Sequence, residues 1–534
     1  MEDLPEPPLE SASASLLDIG DQLVVRGKPT TSWPGKLDID RCVALFNYLV
    51  AVGWMAYHGK GPEDLDELVK RPSYFDSSRG EKTRGLREKL EPQITEFLEK
   101  IVMPSAGEAS VFFWVRALQD EDMLSHQELF NFAVLDDKEK EMEIEMEMEK
   151  GKEAARPRFI KLLDSAVGSG GGTMGVIYDQ KRRRVAFPYF TKDVARFING
   201  ESHNWLPLEV LLSNWIHLLR IGKVVAEPAE PVEPEAAARE PGGAGERSGS
   251  GRKPVPTKLS VWRWCSYGAG QVWGAVDAYN GLISLIEFYM DPDWHMPVEK
   301  DEPLVSHAVL DAAGVPEKCF AREFLTQARK PRFAQIAPGL CVPRDAATFI
   351  ARQRLTRTRA VLANPSLIPP VLMFYSPDGR RVLPKTRERA LPQTWQRIGL
   401  VRGEHRADMD REGPIPAGLY SEAVDRDEVD NAEEGFRLLL PWRCGPLARY
   451  SDGKTISKLE KRSTSELYQH GFQRLGSMGY GRAQRLESLF KKWEVMVRSR
   501  QWCVNQHGVE GGLERFRGAD DEMDWFWYCV QPSW

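Results

Sequence analysis

Asp291-Pro292-Asp293-Trp294-His295 places two carboxylates and an imidazole at i, i+2 and i+4. On an extended strand all three side chains point to one side, which is a ligand set for a hard or borderline divalent cation. Glu404-His405 with Asp408 and Asp410 forms a second cluster of the same kind. A metal held by either would activate water and make the protein a hydrolase. The competing reading is that Asp-Pro-Asp is a turn closing an apolar segment and that EHRADMDREG is a polar loop.

Arginine supplies the second kind of chemistry. Residues 320–411 hold 18 Arg and Lys against 7 Asp and Glu, a balance of +11, and 16 of the 18 are arginine. A helix through 345–362 would carry an inward stripe of Ala347, Ala351, Leu355, Thr358 and Leu362. Arg352 and Arg359 would flank it on one side, and Arg354 and Arg357 on the other. Planar guanidinium groups in such a row suit phosphates, so a nucleic acid or another anion is a candidate partner. Alternatively, the arginines cover the rim of an apolar stripe and pair with the protein's own acids.

The remaining motifs are incomplete. Gly170 to Gly175 satisfies G-x-G-x-x-G, but a hairpin rather than a helix comes after it, and the stretch Arg158–Leu163 before it reads as helix. Pro188 stands where a kinase would have its phosphate-pairing lysine, and the chain downstream has neither His-Arg-Asp nor Asp-Phe-Gly. Glycine of a flexible connection is the better account. Gly168-Ser169-Gly170 and Gly249-Ser250-Gly251 lack a nucleophile-elbow frame. Asp425–Glu434 has Val429 and Asp430 where a calcium loop needs an oxygen ligand and a glycine. Cys503 and His507, four apart, would face each other on a helix, yet Gly508 marks that helix as ending. No cofactor is specified by any of these patterns.

The elements that would position these residues divide at 226–257. That stretch has no aromatic residue and reads as a disordered Pro/Gly/Glu-rich linker. Residues 1–225 hold 29 basic and 37 acidic residues, or −8; the linker contributes −2 and the remainder +4, giving the chain's −6. Such a balance excludes a generically basic nucleic-acid coat. Before the linker come a tail (1–35) and a mostly helical domain (36–225). Its expected elements are a buried helix over 37–57, polar-faced helices over 63–71 and 80–102, a hairpin over 175–190 and an amphipathic helix over 206–221. Within it lies 136–153, where Glu alternates with Met or Ile from 141 to 149, and which reads as a solvated insertion, helical or disordered.

After the linker, 258–534 reads as a mixed domain. It has a second hairpin around Ser376-Pro377-Asp378-Gly379, sharing Tyr-x4-Arg-Arg-Val with the first. An amphipathic helix spans 482–500, and a buried strand lies at DWFWYCVQPSW. The apolar stretch 261–290 is expected to be soluble core, since Arg263, Asp277 and Glu287 are costly in hydrocarbon. The apolar run 42–57, at 16 residues, is shorter than a bilayer span. The sixteen tryptophans point to large aromatic cores. Seven scattered cysteines without a C-x-x-C pair fit neither a zinc finger nor a disulfide framework. The acidic, proline-rich start is no secretory signal.

The expected architecture is therefore helix-rich α+β, as two lobes joined by the disordered linker. The expected function is a non-catalytic interaction or regulatory protein of the cytoplasm or nucleus. Its partner would be a protein, with no membrane association and no secretion. A metal-dependent hydrolase of unrecognised family, with Asp291, Asp293 and His295 as metal ligands, and a nucleic-acid-binding protein using the Arg-rich region 320–411 through Arg352, Arg354, Arg357 and Arg359 are the alternatives. Lys181-Arg182-Arg183-Arg184 has the composition of an import signal, at a turn where charge is expected anyway.

Overall fold

The computed structural model describes residues 16–25, 36–75, 85–104, 110–113, 115–116, 123–124, 156–165, 175–187, 205–228, 258–377, 395, 415–427, 432–442, 444, 447, 466–467 and 484–530. Both helices and sheets are present, so the chain is α+β. The described residues fall into two compact units. One holds those up to Arg220 together with Val224–Trp264; the other holds Ile221–Lys223 and most of the chain from Cys265 onward.

In the first unit, helix α1 (Ile39–His58) starts at Asp38, whose side chain accepts the Arg41 N–H, and stops at Gly59 in a left-handed conformation. The apolar run extends to 20 helical residues, long and apolar enough to cross a membrane, although over half of its most apolar window is buried in the fold. Helix α2 (Pro92–Lys100) is capped by the Glu91 carboxylate. A five-stranded antiparallel meander has the order β1 (Ser110–Phe112), β2 (Val115–Arg116), β3 (Phe159–Ser165), β4 (Val176–Asp179), β5 (Arg184–Ala186).

The expected hairpin is β4–β5. Its turn is fixed by Asp179, whose Oδ1 accepts the N–H groups of Lys181 and Arg182. Of the basic run there, Arg182 lies 3.8 Å from Asp179 and Arg183 3.2 Å from Glu91. The helix expected over 158–163 is instead strand β3. With neighbours on both edges, this strand buries residues on both faces, Lys161 among them, so apolar and polar positions do not alternate and its period of two is hidden. The amphipathic helix is α3 (Leu208–Arg220), burying Leu208, Leu211, Leu212 and Trp215. Trp215 stacks on Phe112, and the Trp262 indole donates to the Ser110 carbonyl at 3.1 Å.

Strand β6 (Val224–Ala226) pairs antiparallel with β8 (Trp262–Trp264), which also pairs with β7 (Lys258–Leu259). The chain on either side of 229–257 thus meets in one three-stranded sheet of the first unit. The chain passes between the compact units at 220/221, 223/224 and 264/265. Composition marks a stretch unable to build a core, whereas long-range strand pairing decides where its ends are held.

The second unit is built on helix α4 (Ala269–Tyr289), which packs against α5 (Phe320–Gln327) and α8 (Leu486–Arg498). Between them in sequence lie β9 (Gln335–Ala337), β10 (Leu340–Cys341), α6 (Ala346–Arg352), α7 (Arg359–Ala363), β11 (Leu372–Tyr375), β12 (Gly418–Ser421), β13 (Phe436–Leu439) and β14 (Glu466–Leu467); β15 (Val504–Asn505) and β16 (Gly508–Val509) come after α8. One eight-stranded sheet runs β14-β13-β12-β11-β10-β9-β16-β15, antiparallel except for β9–β16. Tyr279, Phe324, Phe374 and Phe490 meet in its core, with ring centroids 5.3 to 6.2 Å apart. The buried positions of α8 are the expected ones: Leu486, Leu489, Phe490, Trp493, Met496 and Val497.

Three expectations in this unit are corrected. The single helix over 345–362 is two short helices, α6 and α7. Between them the Gln353 amide accepts from Leu372 N–H and donates to Leu372 C=O, both at 2.9 Å, which draws the chain onto β11. The expected stripe breaks with it: Leu355 and Thr358 are buried, whereas Ala347, Ala351 and Leu362 are exposed.

Cys503 comes just before β15 and His507 lies in the turn between β15 and β16 instead of both sharing a helix, because Gly508, with φ 106°, favours a turn there. Trp525–Tyr528 is a 3-10 turn rather than a buried strand, and none of its four residues is buried. Backbone bonds close it: Trp525 N–H donates to Asp521 C=O and Trp527 N–H to Asp524 C=O. The second hairpin's outer strand, the insertion 136–153 and the interior of 226–257 lie outside the described residues.

Candidate interaction surface

Helix α4 is buried along Val272, Ala275, Tyr279, Leu282, Ile283 and Ile286. At 100° per residue its opposite stripe is Trp273, Asp277, Gly281, Ser284 and Phe288. Trp273 is 68% exposed and Phe288 79%, although a solvent-facing stripe normally carries polar groups. The two aromatics stand at the ends of the stripe, and between them a Cβ built on Gly281 would meet nothing within 4 Å.

The chain after the helix adds to this surface. Tyr289, Trp294 and Met296 are each more than a third exposed, and the Tyr289 ring meets that of Phe288 edge-on at 5.5 Å. Charged groups fix the turn that presents them. Asp291 Oδ1 accepts the Asp293 N–H at 3.0 Å, and Asp291 C=O accepts the Trp294 N–H at 2.9 Å, closing a 3-10 turn over Pro292–Trp294. His295 donates from Nε2 to the Glu287 carbonyl at 3.2 Å, which folds the turn back along the last turn of α4.

Glu287 holds the next layer. Its carboxylate takes both arms of Arg329 and the Arg332 N–H at 2.9 Å. Arg329 also reaches Ser284 Oγ at 3.0 Å, and its N–H donates to Asn280 Oδ1. Met296 N–H donates to Arg332 C=O. Beyond it, Lys330 lies 2.5 Å from Glu302, and that hydrogen bond holds the Glu302 carboxyl below the usual range. Exposed aromatic side chains on a hydrogen-bonded frame can bind another surface without first being ordered.

Asp291, Asp293 and His295 are therefore parts of a capped turn, not one face of a strand. Among the described residues no group of three or more His, Cys, Asp or Glu is arranged to hold a metal ion. Glu404, His405, Asp408 and Asp410 lie outside the described residues, as do Gly170–Met174 and both Gly-Ser-Gly segments.

The arginine group is dispersed. Arg352 stacks on the Tyr375 ring at 3.9 Å and donates to Ser376 C=O at 3.2 Å. Arg354, like Arg352, lies near Tyr420, whose hydroxyl burial pushes well up while the two arginines pull it back. Arg357 donates to the carbonyl of Ala312. Arg359 begins α7, and its side chain is outside the described set. So the fold uses Arg352 and Arg357 on backbone carbonyls.

Sequence reasoning missed Trp273 and Phe288 because the whole of 261–290 reads as core. The signal was available in the polar residues. Asp277, Asn280 and Ser284 mark one face of α4 as solvent-facing, and the two aromatics fall on that face at helical spacing.

No family model, curated protein or solved structure matches this chain. Its site geometry is thus the only guide to its role.

Proposed function

We propose that the chain is a non-catalytic interaction protein that docks another protein through the outer face of α4 and the turn 291–296. The observation that carries this reading is the exposure of Trp273 and Phe288 on a helix whose other face is fully packed. Tryptophan and other aromatics dominate the energetics of protein interfaces, and large exposed apolar side chains in a group are unusual on a monomer. Asp277, Asp291 and Asp293 are exposed around them, so the fitting partner has an apolar centre and a positive rim.

A reducing compartment, cytoplasm or nucleus, accords with this reading. Burial pushes the Cys319 thiol up to about 12 and the Cys42 thiol well above its ordinary value, which keeps both unreactive.

The test uses the full chain and its Phe288→Glu and Trp294→Glu variants, with Met523→Glu as a control at a side chain 77% exposed elsewhere. A protein recovered with the wild type is purified and its direct affinity measured. The expected result is binding weakened roughly tenfold or more by the first two changes and unaltered by the third, with the same thermal melting throughout. Affinity untouched by either α4-side change overturns the proposal.

A further inference from the structure

We infer that the occupant of this surface is a second copy of the chain, docked antiparallel on α4 about a two-fold axis beside Gly281. The inference rests on the interaction reading above and names its partner. A two-fold interface brings residue i of one copy to residue j of the other and j to i, so the surface must complement itself. The exposed stripe of α4 does so. Its aromatic ends, Trp273 and Phe288, are equidistant from the midpoint between Asn280 and Gly281.

In antiparallel register each Trp273 faces the other copy's Phe288, which makes two aromatic pairs about 22 Å apart at 1.5 Å per residue. Asp277 then faces Ser284, a donor for its carboxylate. At the centre Gly281 offers no side chain, and the space above it is open, so the two helices can approach closely.

Charge adds a second argument. The same register sets the exposed acidic turn Asp291–Asp293 beside the N-terminus of the other copy's α4, where the helix dipole favours negative charge. Antiparallel dipoles also attract one another. Area supplies a third. At about 150–250 Å² per aromatic side chain, the exposed parts of Trp273, Phe288, Tyr289, Trp294 and Met296 amount to roughly 500 Å² per copy. Two copies would cover roughly 1,000 Å², the size at which specific interfaces begin.

The test is sedimentation equilibrium of the full chain and its variants, together with a cross-linking measurement. The wild type is expected to be a dimer at micromolar concentration. Gly281→Lys, whose Cβ meets nothing within 4 Å in its own protomer, is expected to be monomeric, as is Phe288→Glu, with neither variant losing its cooperative thermal transition. Register is read in a Cys503→Ser background, which removes the exposed cysteine. There Gly281→Cys is expected to form an intermolecular disulfide on mild oxidation, and Trp273→Cys alone is not.

A monomeric wild type, a Gly281→Lys variant that stays dimeric, or disulfide formation favoured at 273 over 281 overturns the inference. Its failure is separable from that of the broader reading. A monomeric wild type whose Phe288→Glu variant still loses a different protein partner removes only the homotypic occupant; a monomer with no partner lost removes both.

Discussion

Arg329 grips Glu287 with both arms of its guanidinium, Nη1 3.0 Å from Oε1 and Nη2 2.9 Å from Oε2. The pair joins the last turns of α4 to the segment just after α5, and the backbone N–H of Arg332 completes the carboxylate's hydrogen bonds. A planar fork meeting a carboxylate in this way fixes orientation as well as distance. It therefore sets the angle at which Phe288 and Tyr289 leave the helix.

Glu287→Gln leaves the shape and removes the charge from this pairing. Hydrogen bonds between charged partners contribute about 1.5–3 kcal/mol, and the pair is only partly screened, with Glu287 14% exposed. The expected outcome is a loss of about 1–2 kcal/mol in urea unfolding. Arg329→Lys should lose a similar amount, since lysine cannot make the two-armed contact. An unaltered unfolding midpoint for both would contradict the role given to the pair.

Gly281 lies inside α4 with no neighbour in the way of a side chain. Glycine in a helix interior costs about 1 kcal/mol relative to alanine. Measured on the monomer, at a concentration below dimerisation, Gly281→Ala is expected to raise stability by up to about 1 kcal/mol, read as a higher unfolding midpoint. A decrease there would mean that the space above Gly281 is filled within the protomer.

Phe490 is fully buried and its ring meets those of Tyr279, Phe324, Phe374 and Trp493. Phe490→Ala removes the centre of that cluster and should cost about 3–5 kcal/mol. Circular dichroism of the variant at rising urea measures it. A cost under about 1 kcal/mol would place Phe490 outside the core.

Glu434 is wholly buried and lies 3.8 Å from the equally buried Lys223, and neither of its carboxylate oxygens receives a hydrogen bond. Burial raises its affinity for a proton, while Lys223 and Arg485 act against that rise. The folded chain thus binds this proton more tightly than the unfolded chain does. Stability from this group is complete below the ordinary Glu value of 4.5 and is lost as pH rises through the elevated folded value. Glu434→Gln should remove that decline. Its unfolding free energy, compared with the wild type at each pH from 4.5 upward, should show the difference growing with pH and then levelling. A constant difference would refute it.

The helices with one apolar and one polar face were legible because their burial comes from local spacing. The six buried residues of α8 are an example, and so are Leu208, Leu211, Leu212 and Trp215 of α3, where neighbours such as Glu209 and Leu218 are buried as well. The β4–β5 hairpin was legible for a similar reason, since its turn is set by Asp179 acting on its immediate neighbours. The failures share a cause. Strand β3 was read as helix because a central strand loses its alternation, and α6–α7 was read as one helix because Gln353 finds its partner at Leu372, nineteen residues on. The turn at Asp291 had a local alternative, Asp-Pro-Asp, and the Asp291 carboxylate on its own backbone realised it.

By itself the sequence determined the α+β mixture and the amphipathic faces, because each depends on residues a few positions apart. Tertiary structure alone decided that β6 and β8 pair across 229–257 and that Trp273 and Phe288 remain outside. The physical reason is that local composition states which groups avoid water, but only packing against distant partners determines which of them succeed.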